Sequence, residues 1–321
     1  MEFSDVPINL NRLRLFLAVV EHGGVRKAAE AISISQPAVS QSIQALEAEL
    51  GLDLLERLGR KVRPTEAGML LAEHGRRIFA EVQEARRALD DLKGIARGHL
   101  FLGASTTIGI YVLPDALGLF HQRYPEIALS LNVANTQDIL EQLLEARLDI
   151  AFVEGPVAQP GLTSVPFLED ELVLIVAPGH ALMQHAPVSR EDLAATPFLM
   201  RESGSGTREV VEQALAGWEI VPNVMMELGH TEAIKNAVAA GLGVSILPRM
   251  TVARDVVDGR LAILPIAVGR ILRNLLAVQR SPGFLAPATR AFLEQLQPSL
   301  PSALLQHRPG QAGIVHARER W

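Results

Sequence analysis

Two groups of residues have types and spacings that could do chemistry. The first lies between Val25 and Pro64. Val39, Ile43, Leu46 and Leu50 recur at helical spacing and predict a buried stripe, with Ser35, in good N-cap position, and Pro37 in the first turn. Gln36, Ser40, Gln41 and Gln44 are then left on or beside the opposite face. Amides and hydroxyls there suit base edges, since Gln can bond the N6/N7 edge of adenine in a bidentate way. Arg57, Arg60, Lys61 and Arg63 follow, with no acid between them. Such a run meets phosphate, which positions a protein on DNA without reading its sequence. A short Ala-rich helix around Ala28 and Ala29, a turn at 32–34, a second helix and a basic hairpin make the order of a winged helix-turn-helix. The partner expected from it is double-stranded DNA.

The second group is three polar turns. They are Ser105-Thr106-Thr107, Asn135-Thr136-Gln137 and Ser203-Gly204-Ser205-Gly206-Thr207-Arg208. Each follows an apolar stretch that reads as a strand, and open α/β sheets bind ligands outside the carboxyl ends of their strands. Hydroxyls and free amides at helix N-termini favour anions. Each turn by itself is better explained as an ordinary helix N-cap, and only the three together point to a ligand. His230-Thr231-Glu232 precedes another helix and would form a fourth wall. The Gly-rich turn lacks the Lys of a Walker loop and is not a dinucleotide fingerprint.

Catalysis finds little support. The chain has no cysteine, so disulfides, thiolate metal sites and cysteine nucleophiles are excluded. Its nine histidines have no metal-ligand spacing, and neither His-Glu-x-x-His nor Gly-x-Ser-x-Gly occurs. No metal, no cofactor and no enzymatic activity are expected.

The elements that must position these groups follow from periodicity. Leu13, Phe16, Leu17 and Val20 predict a buried face on a first helix over about 11–21. After Thr65 and Glu66 a long helix is expected to about residue 96, on the order of 45 Å. Its apolar positions Leu71, Ile78, Val82, Ala85, Leu89, Leu92 and Ala96 step as a heptad seam, with Gly75 in one slot. The seam predicts pairing with a second copy, and packing on its own domain is the competing explanation. From residue 100 short strands are expected at 100–104, 128–134, 149–153, 172–177, 197–200, 224–228, 244–247 and 275–279. Helices at 113–124, 138–146, 207–216, 231–240 and 287–297 separate many of them. This alternation predicts α/β architecture with mainly parallel sheets. From Pro298 onward no element is assigned.

Bulk properties agree. At 321 residues, with 48% hydrophobic and 21% charged, the chain is long enough for two or three well-cored domains. The formal net charge is −6, and residues 1–97 carry as many acids as bases, so the excess lies in the later part. No apolar run reaches the roughly 18–20 residues that span a bilayer, and the N-terminus shows no secretory pattern. A cytoplasmic protein with no membrane partner is expected.

Taken together, the motifs resemble the LysR-type transcriptional regulators over nearly the full chain. Ala28-Ala29-Glu30, Ser35-Gln36-Pro37-Ala38-Val39-Ser40, Leu46-Glu47, Leu50-Gly51, Leu55-Glu56-Arg57 and Pro64-Thr65-Glu66-Ala67-Gly68 carry the N-terminal likeness. Gly241-Leu242-Gly243-Val244-Ser245-Ile246-Leu247-Pro248 carries it downstream. The resemblance implies a winged helix-turn-helix over 1–65, a linker and dimerisation helix over 66–97, and an effector-binding domain over 98–296. That last domain would be similar to periplasmic binding proteins: lobe I about 99–170 plus 271–296, lobe II about 171–270, and a cleft between them. Residues 297–321 would be a C-terminal tail. It further implies a homodimer or homotetramer, contact with RNA polymerase, and a ligand-biased two-state equilibrium. By the same resemblance the polar turns face the cleft. Ser105, Thr106, Thr107, Thr136, Ser203, Ser205, Thr207 and His230 are then candidates to hold a small anionic effector of the sulfur- or carbon-assimilation type. A solute-binding protein built on the same cleft is the alternative. One departure stands out: many relatives carry a hydroxyl pair where this chain has Gly24-Val25-Arg26, which leaves Arg26 as the candidate phosphate contact.

Overall fold

Asn9 starts the first helix, α1 (Leu10–His22), by accepting the amides of Asn11 at 2.9 Å and Arg12 at 3.3 Å. Gly23 stops it in the left-handed region that an L side chain resists. α2 (Val25–Ala31) starts at Gly24 with no side-chain cap. α3 (Gln36–Leu50) is capped by Ser35, whose Oγ accepts from the Ala38 amide at 3.4 Å, and it ends on Gly51. The computed structural model describes residues 8–58, 61–91, 98–281 and 285–296. It divides into two compact units, Met1–Arg86 and Arg87–Trp321.

In the first unit the fully buried residues are Leu13, Phe16, Val19, Ala28, Val39, Ile43 and Leu46 among others. The apolar face of α1 is thus rotated slightly from expectation, since Leu17 and Val20 are only partly buried and Val19 is inside. Leu50 of α3 is likewise partly buried. A hairpin of β1 (Leu55–Leu58) and β2 (Lys61–Pro64) follows, with Glu56 opposite Arg63.

α4 runs Glu66–Asp91. Thr65 donates to the Asp53 carbonyl at 2.7 Å and accepts from the Gly68 amide at 3.0 Å, which ties the helix start to the hairpin. Gly68 is required there, because a Cβ would lie 2.1 Å from the Leu54 carbonyl oxygen. The heptad expectation needs correction at its start. Gly75 is buried, with a Cβ position 3.0 Å from Leu13 and 3.3 Å from Leu17, so it serves close packing against α1 and not an outward seam. Leu71 is partly buried on the same core. Ile78, Val82, Ala85 and Leu89 are exposed. Leu92 and Ala96 lie outside the described residues, as does everything from residue 297 onward.

The second unit contains β3 (Gly98–Ser105), α5 (Thr106–Tyr111), α6 (Leu113–Arg123), β4 (Ile127–Ala134), α7 (Thr136–Leu144), β5 (Ile150–Glu154) and β6 (Leu162–Val176). After a 3-10 turn come α8 (Arg190–Ala195), β7 (Pro197–Arg201), α9 (Gly206–Gly217), β8 (Asn223–Leu228) and α10 (Thr231–Ala239). β9 (Ser245–Pro248), α11 (Arg249–Val257), β10 (Ala262–Leu264), β11 (Ile271–Arg280) and α12 (Pro287–Gln295) complete it. The large sheet runs β10-β6-β11-β5-β3-β4, with β9 also on β6, and β7 pairs with β8 in a second sheet.

The expectation of mainly parallel sheets is overturned. β3/β4, β3/β5 and β7/β8 are parallel, whereas β6 and β11 pair antiparallel with every strand they touch. These two long strands were visible only in part, as 172–177 and 275–279. Their missing halves are interrupted by charge: Glu169, Asp170 and Glu171 in β6, and Arg273 in β11. α5, expected as a polar turn, is also a helix, its two β-branched threonines giving little helical signal.

Those charged positions fall where the core divides. One apolar cluster takes Leu102, Phe152, Phe167, Leu275 and Phe292, and another takes Leu172, Leu174, Phe198, Val244 and Ile271. Along β6 the change comes between Phe167 and Leu172, and along β11 between Ile271 and Leu275. Asp170 and Arg273 sit in those gaps, directly opposite each other in the β6–β11 register.

Candidate nucleic-acid interface and effector cleft

On α3 the buried stripe of Val39, Ile43 and Leu46 turns Gln36, Pro37, Gln41 and Gln44 outward, all exposed, with Ser40 half-buried beside them. Ser35 is exposed too, although its hydroxyl is spent on the helix cap. Arg26 projects from α2 and lies 3.8 Å from Glu30, one turn on. Arg63 is exposed on β2. The backbones of Arg57 and Lys61 lie in the hairpin, and Arg60 is outside the described residues. Sequence reading gave Glu47 no role. Its carboxylate accepts the amides of Leu54 at 2.9 Å and Leu55 at 3.2 Å, which fixes where the hairpin leaves α3. An acid in the last turn of α3, just before the Gly51 stop, was the available signal.

The three polar turns of the second unit converge. Ser105 ends β3 and its Oγ donates to Glu154 Oε2. Thr136, first residue of α7, donates to the Glu154 carbonyl at 3.1 Å and accepts from the Gly206 amide at 3.3 Å. Thr207, in the first turn of α9, donates to Glu154 Oε1 at 3.2 Å and accepts from Arg273 Nη1 at 2.9 Å. Ser105, Thr136, Glu154 and Thr207 are all buried. The backbones meet as well, because the Gln137 amide donates to the Gly204 carbonyl at 3.2 Å. Gly206 lies so close to β5 that a Cβ would stand 1.9 Å from the Glu154 carbonyl oxygen.

Not every candidate joins this convergence. Thr106 and Thr107 are buried in α5, and the Thr107 hydroxyl has no hydrogen-bond partner. Ser205 caps α9, accepting the Arg208 amide at 3.4 Å. Ser203 and His230 are exposed, and His230 Nδ1 caps α10 by accepting the Glu232 amide at 3.2 Å.

Three members of the site were missed in the sequence. Glu154 closes the apolar strand Ile150–Val153, and Asp170 and Arg273 interrupt β6 and β11. Arg273 Nε donates to Asp170 Oδ2 at 2.9 Å, and its Nη2 lies 2.7 Å from the same oxygen. Its Nη1 stands 3.9 Å from Glu154 Oε1. Burial pushes the Asp170 carboxyl up, Arg273 opposes the rise, and the charge of Glu154 adds to it. A charged residue inside a buried strand was the signal, but it reads equally as the end of that strand.

A second polar contact links α5 to α10. Tyr111 donates to Glu232 Oε1 at 2.6 Å, and Lys235 Nζ lies 2.7 Å from both Glu232 and Asp255.

Residues 10–69 match the family described as bacterial regulatory helix-turn-helix protein, lysR family, and residues 93–301 match the LysR substrate binding domain. The chain belongs to the LysR family of transcriptional regulators. A probable RuBisCO transcriptional regulator of Synechocystis sp. is 36% identical over 92% of this chain and 87% of its own. The Synechocystis CcmR regulatory domain in complex with 2-PG is 33% identical, with a TM-score of 0.59, and covers 67% of this chain and 100% of its own. Full-length CbnR complexed with its target DNA is 25% identical, with a TM-score of 0.63, over 91% of this chain and 100% of its own. As a LysR-type regulator the protein combines a DNA-binding unit with an effector-binding domain, and the solute-binding alternative leaves residues 10–69 unexplained. Among the described residues no group of His, Asp or Glu could hold a metal ion, and no helix is long and apolar enough to cross a membrane.

One pH dependence follows from the α5–α10 contact. Burial, followed by the hydrogen bond to Glu232, pushes the Tyr111 phenol up from 10.0 to about 12. The neutral phenol is the donor, so its stabilisation is complete below the unfolded value and is lost as pH rises through about 12. Absorbance titration at alkaline pH is expected to show a late tyrosinate step that Tyr111→Phe removes.

Proposed function

We propose that this regulator reads promoter DNA through the exposed face of α3 and is switched by a small anion taken up where Ser105, Thr136 and Thr207 converge. The observation that carries the reading is the meeting of three hydroxyls, from three separate strand-to-helix turns, in one buried place. The CcmR regulatory domain in complex with 2-PG supports a small acid as the effector class. Thr106, Thr107 and Ser205 line the same turns, whereas Ser203 and His230, being exposed, are assigned to its edge. Effector binding biases a two-state equilibrium, with no reaction catalysed. Isothermal titration of the full-length protein with 2-PG and with sulfate is expected to give saturable binding that Thr136→Ala weakens. Absence of binding by both anions would overturn the effector assignment.

On DNA, Gln36, Gln41 and Gln44 read bases, with Ser35, Pro37 and Ser40 at the start of the recognition helix. Arg26, Arg57, Arg60, Lys61 and Arg63 hold the backbone. CbnR in complex with its target DNA supports DNA as the partner. In gel-shift titrations on the chain's own upstream DNA, Gln41→Ala is expected to cost about 1–3 kcal/mol on the preferred site and to relax its sequence preference. Lys61→Ala is expected to weaken all sequences alike and to flatten the salt dependence.

The exposed Ile78, Val82, Ala85 and Leu89 of α4, continued by Leu92 in sequence, support pairing of this helix with a second copy, and Leu71 belongs to both the core and the seam. Sedimentation of Val82→Glu is expected to show a shift toward monomer, with the DNA affinity falling in step. A paired regulator acts on two half-sites, in the cytoplasm where its DNA is, and works by contact with RNA polymerase.

A further inference from the structure

The hydroxyls assigned to the effector are already engaged by a carboxylate of the chain itself. Glu154 is 2% exposed. Its two carboxylate oxygens accept from Ser105 of β3 and from Thr207 of α9, while Thr136 is held by its carbonyl. Among the described residues the one cation in this buried group is Arg273, and it is shared with Asp170. Two carboxylates therefore face one guanidinium, and the network carries a net negative charge where the proposed effector also brings one. A buried charge must be paired, and an uncompensated one is costly. An added anion and Glu154 would make the same demand on the same donors.

The geometry points to Glu154 as the residue that sets the charge selectivity of the cleft, a role that rests on the effector assignment above. Its carboxylate fills the hydroxyl cradle, and an effector anion enters by displacing it from Ser105 and Thr207. The affinity measured for any anion is then the difference between its hold on the cradle and that of Glu154. Repulsion from the displaced but nearby carboxylate scales with the charge of the ligand, since Coulomb energy is proportional to the product of the charges.

The test titrates sulfate and formate, in a weakly binding buffer, into the full-length protein and its Glu154→Gln variant. Glutamine has nearly the same size and keeps one acceptor for the cradle. Removing the charge is expected to strengthen formate about tenfold and sulfate several-fold more than that, because easier displacement helps both anions alike whereas the relief of repulsion grows with ligand charge. Ser105→Ala in the Glu154→Gln background is expected to cancel the gain, which would place the anion in the cradle. Glu154→Asp keeps the charge and is expected to show no preference for the doubly charged probe. Glu154→Ala supplies a second uncharged variant if the glutamine protein does not fold. Wild-type binding with no gain in either uncharged variant would overturn the role of Glu154 and leave the effector assignment standing. Binding by neither wild type nor variant would overturn both.

Discussion

The second unit depends on one close approach. The chain at Gly206 lies against the carbonyl of Glu154 with no room for a Cβ, and Thr136 bridges the two backbones with its hydroxyl. Only glycine fits there, and only because it does can the first turn of α9 bring Thr207 within reach of the Glu154 carboxylate. Gly155, at φ +89°, adds a second permissive position beside it, its Cβ site 3.0 Å from Gly206 Cα. The contact joins elements of one apolar cluster to elements of the other. Backbone packing therefore decides which side chains can form a common site.

Around that contact the polar network is buried and its charges do not balance. Arg273 and Asp170 face each other across the β6–β11 ladder, in the gap where one hydrophobic cluster gives way to the next. A gap in apolar packing is where strands can carry charge at least cost, provided the charges pair. Thr207 then relays between the guanidinium and Glu154. Hydroxyls suit this relay, since each can donate and accept at once. The same property makes them ready partners for an anion, so structural pairing and the proposed ligand recognition draw on one set of donors.

The first unit uses a simpler economy. Its helices bury one apolar face each, and caps at Asn9, Ser35 and Thr65 set where α1, α3 and α4 begin. Glu47 then fastens the hairpin to the end of α3. The outward face of α3 is left with amides and few charges, and cations fall on the hairpin in sequence. That separation is what the proposed division between reading and positioning rests on.

Much of this was legible in the residues themselves. Val39, Ile43 and Leu46 determined which face of α3 is inside, and by exclusion that Gln36, Gln41 and Gln44 face outward, because helical periodicity is a local property. Most short strands of the second unit were legible for the same reason, as mainly apolar runs, whereas the three-residue β10 (Ala262–Leu264) was too short to show. β6 and β11 were not, since Asp170 and Arg273 break the run and only a partner on the neighbouring strand makes such residues tolerable inside a sheet. Gly75 misled the heptad reading because its lack of a side chain is meaningful only beside Leu13 and Leu17. The polar turns were recognisable as helix starts with spare hydroxyls. That Ser105, Thr136 and Thr207 would meet, and would meet on a carboxylate, depended on residues up to about a hundred positions apart. Periodicity and capping act over a few residues and are written in the chain. Pairing of buried charge acts through space, and only the tertiary structure decides it.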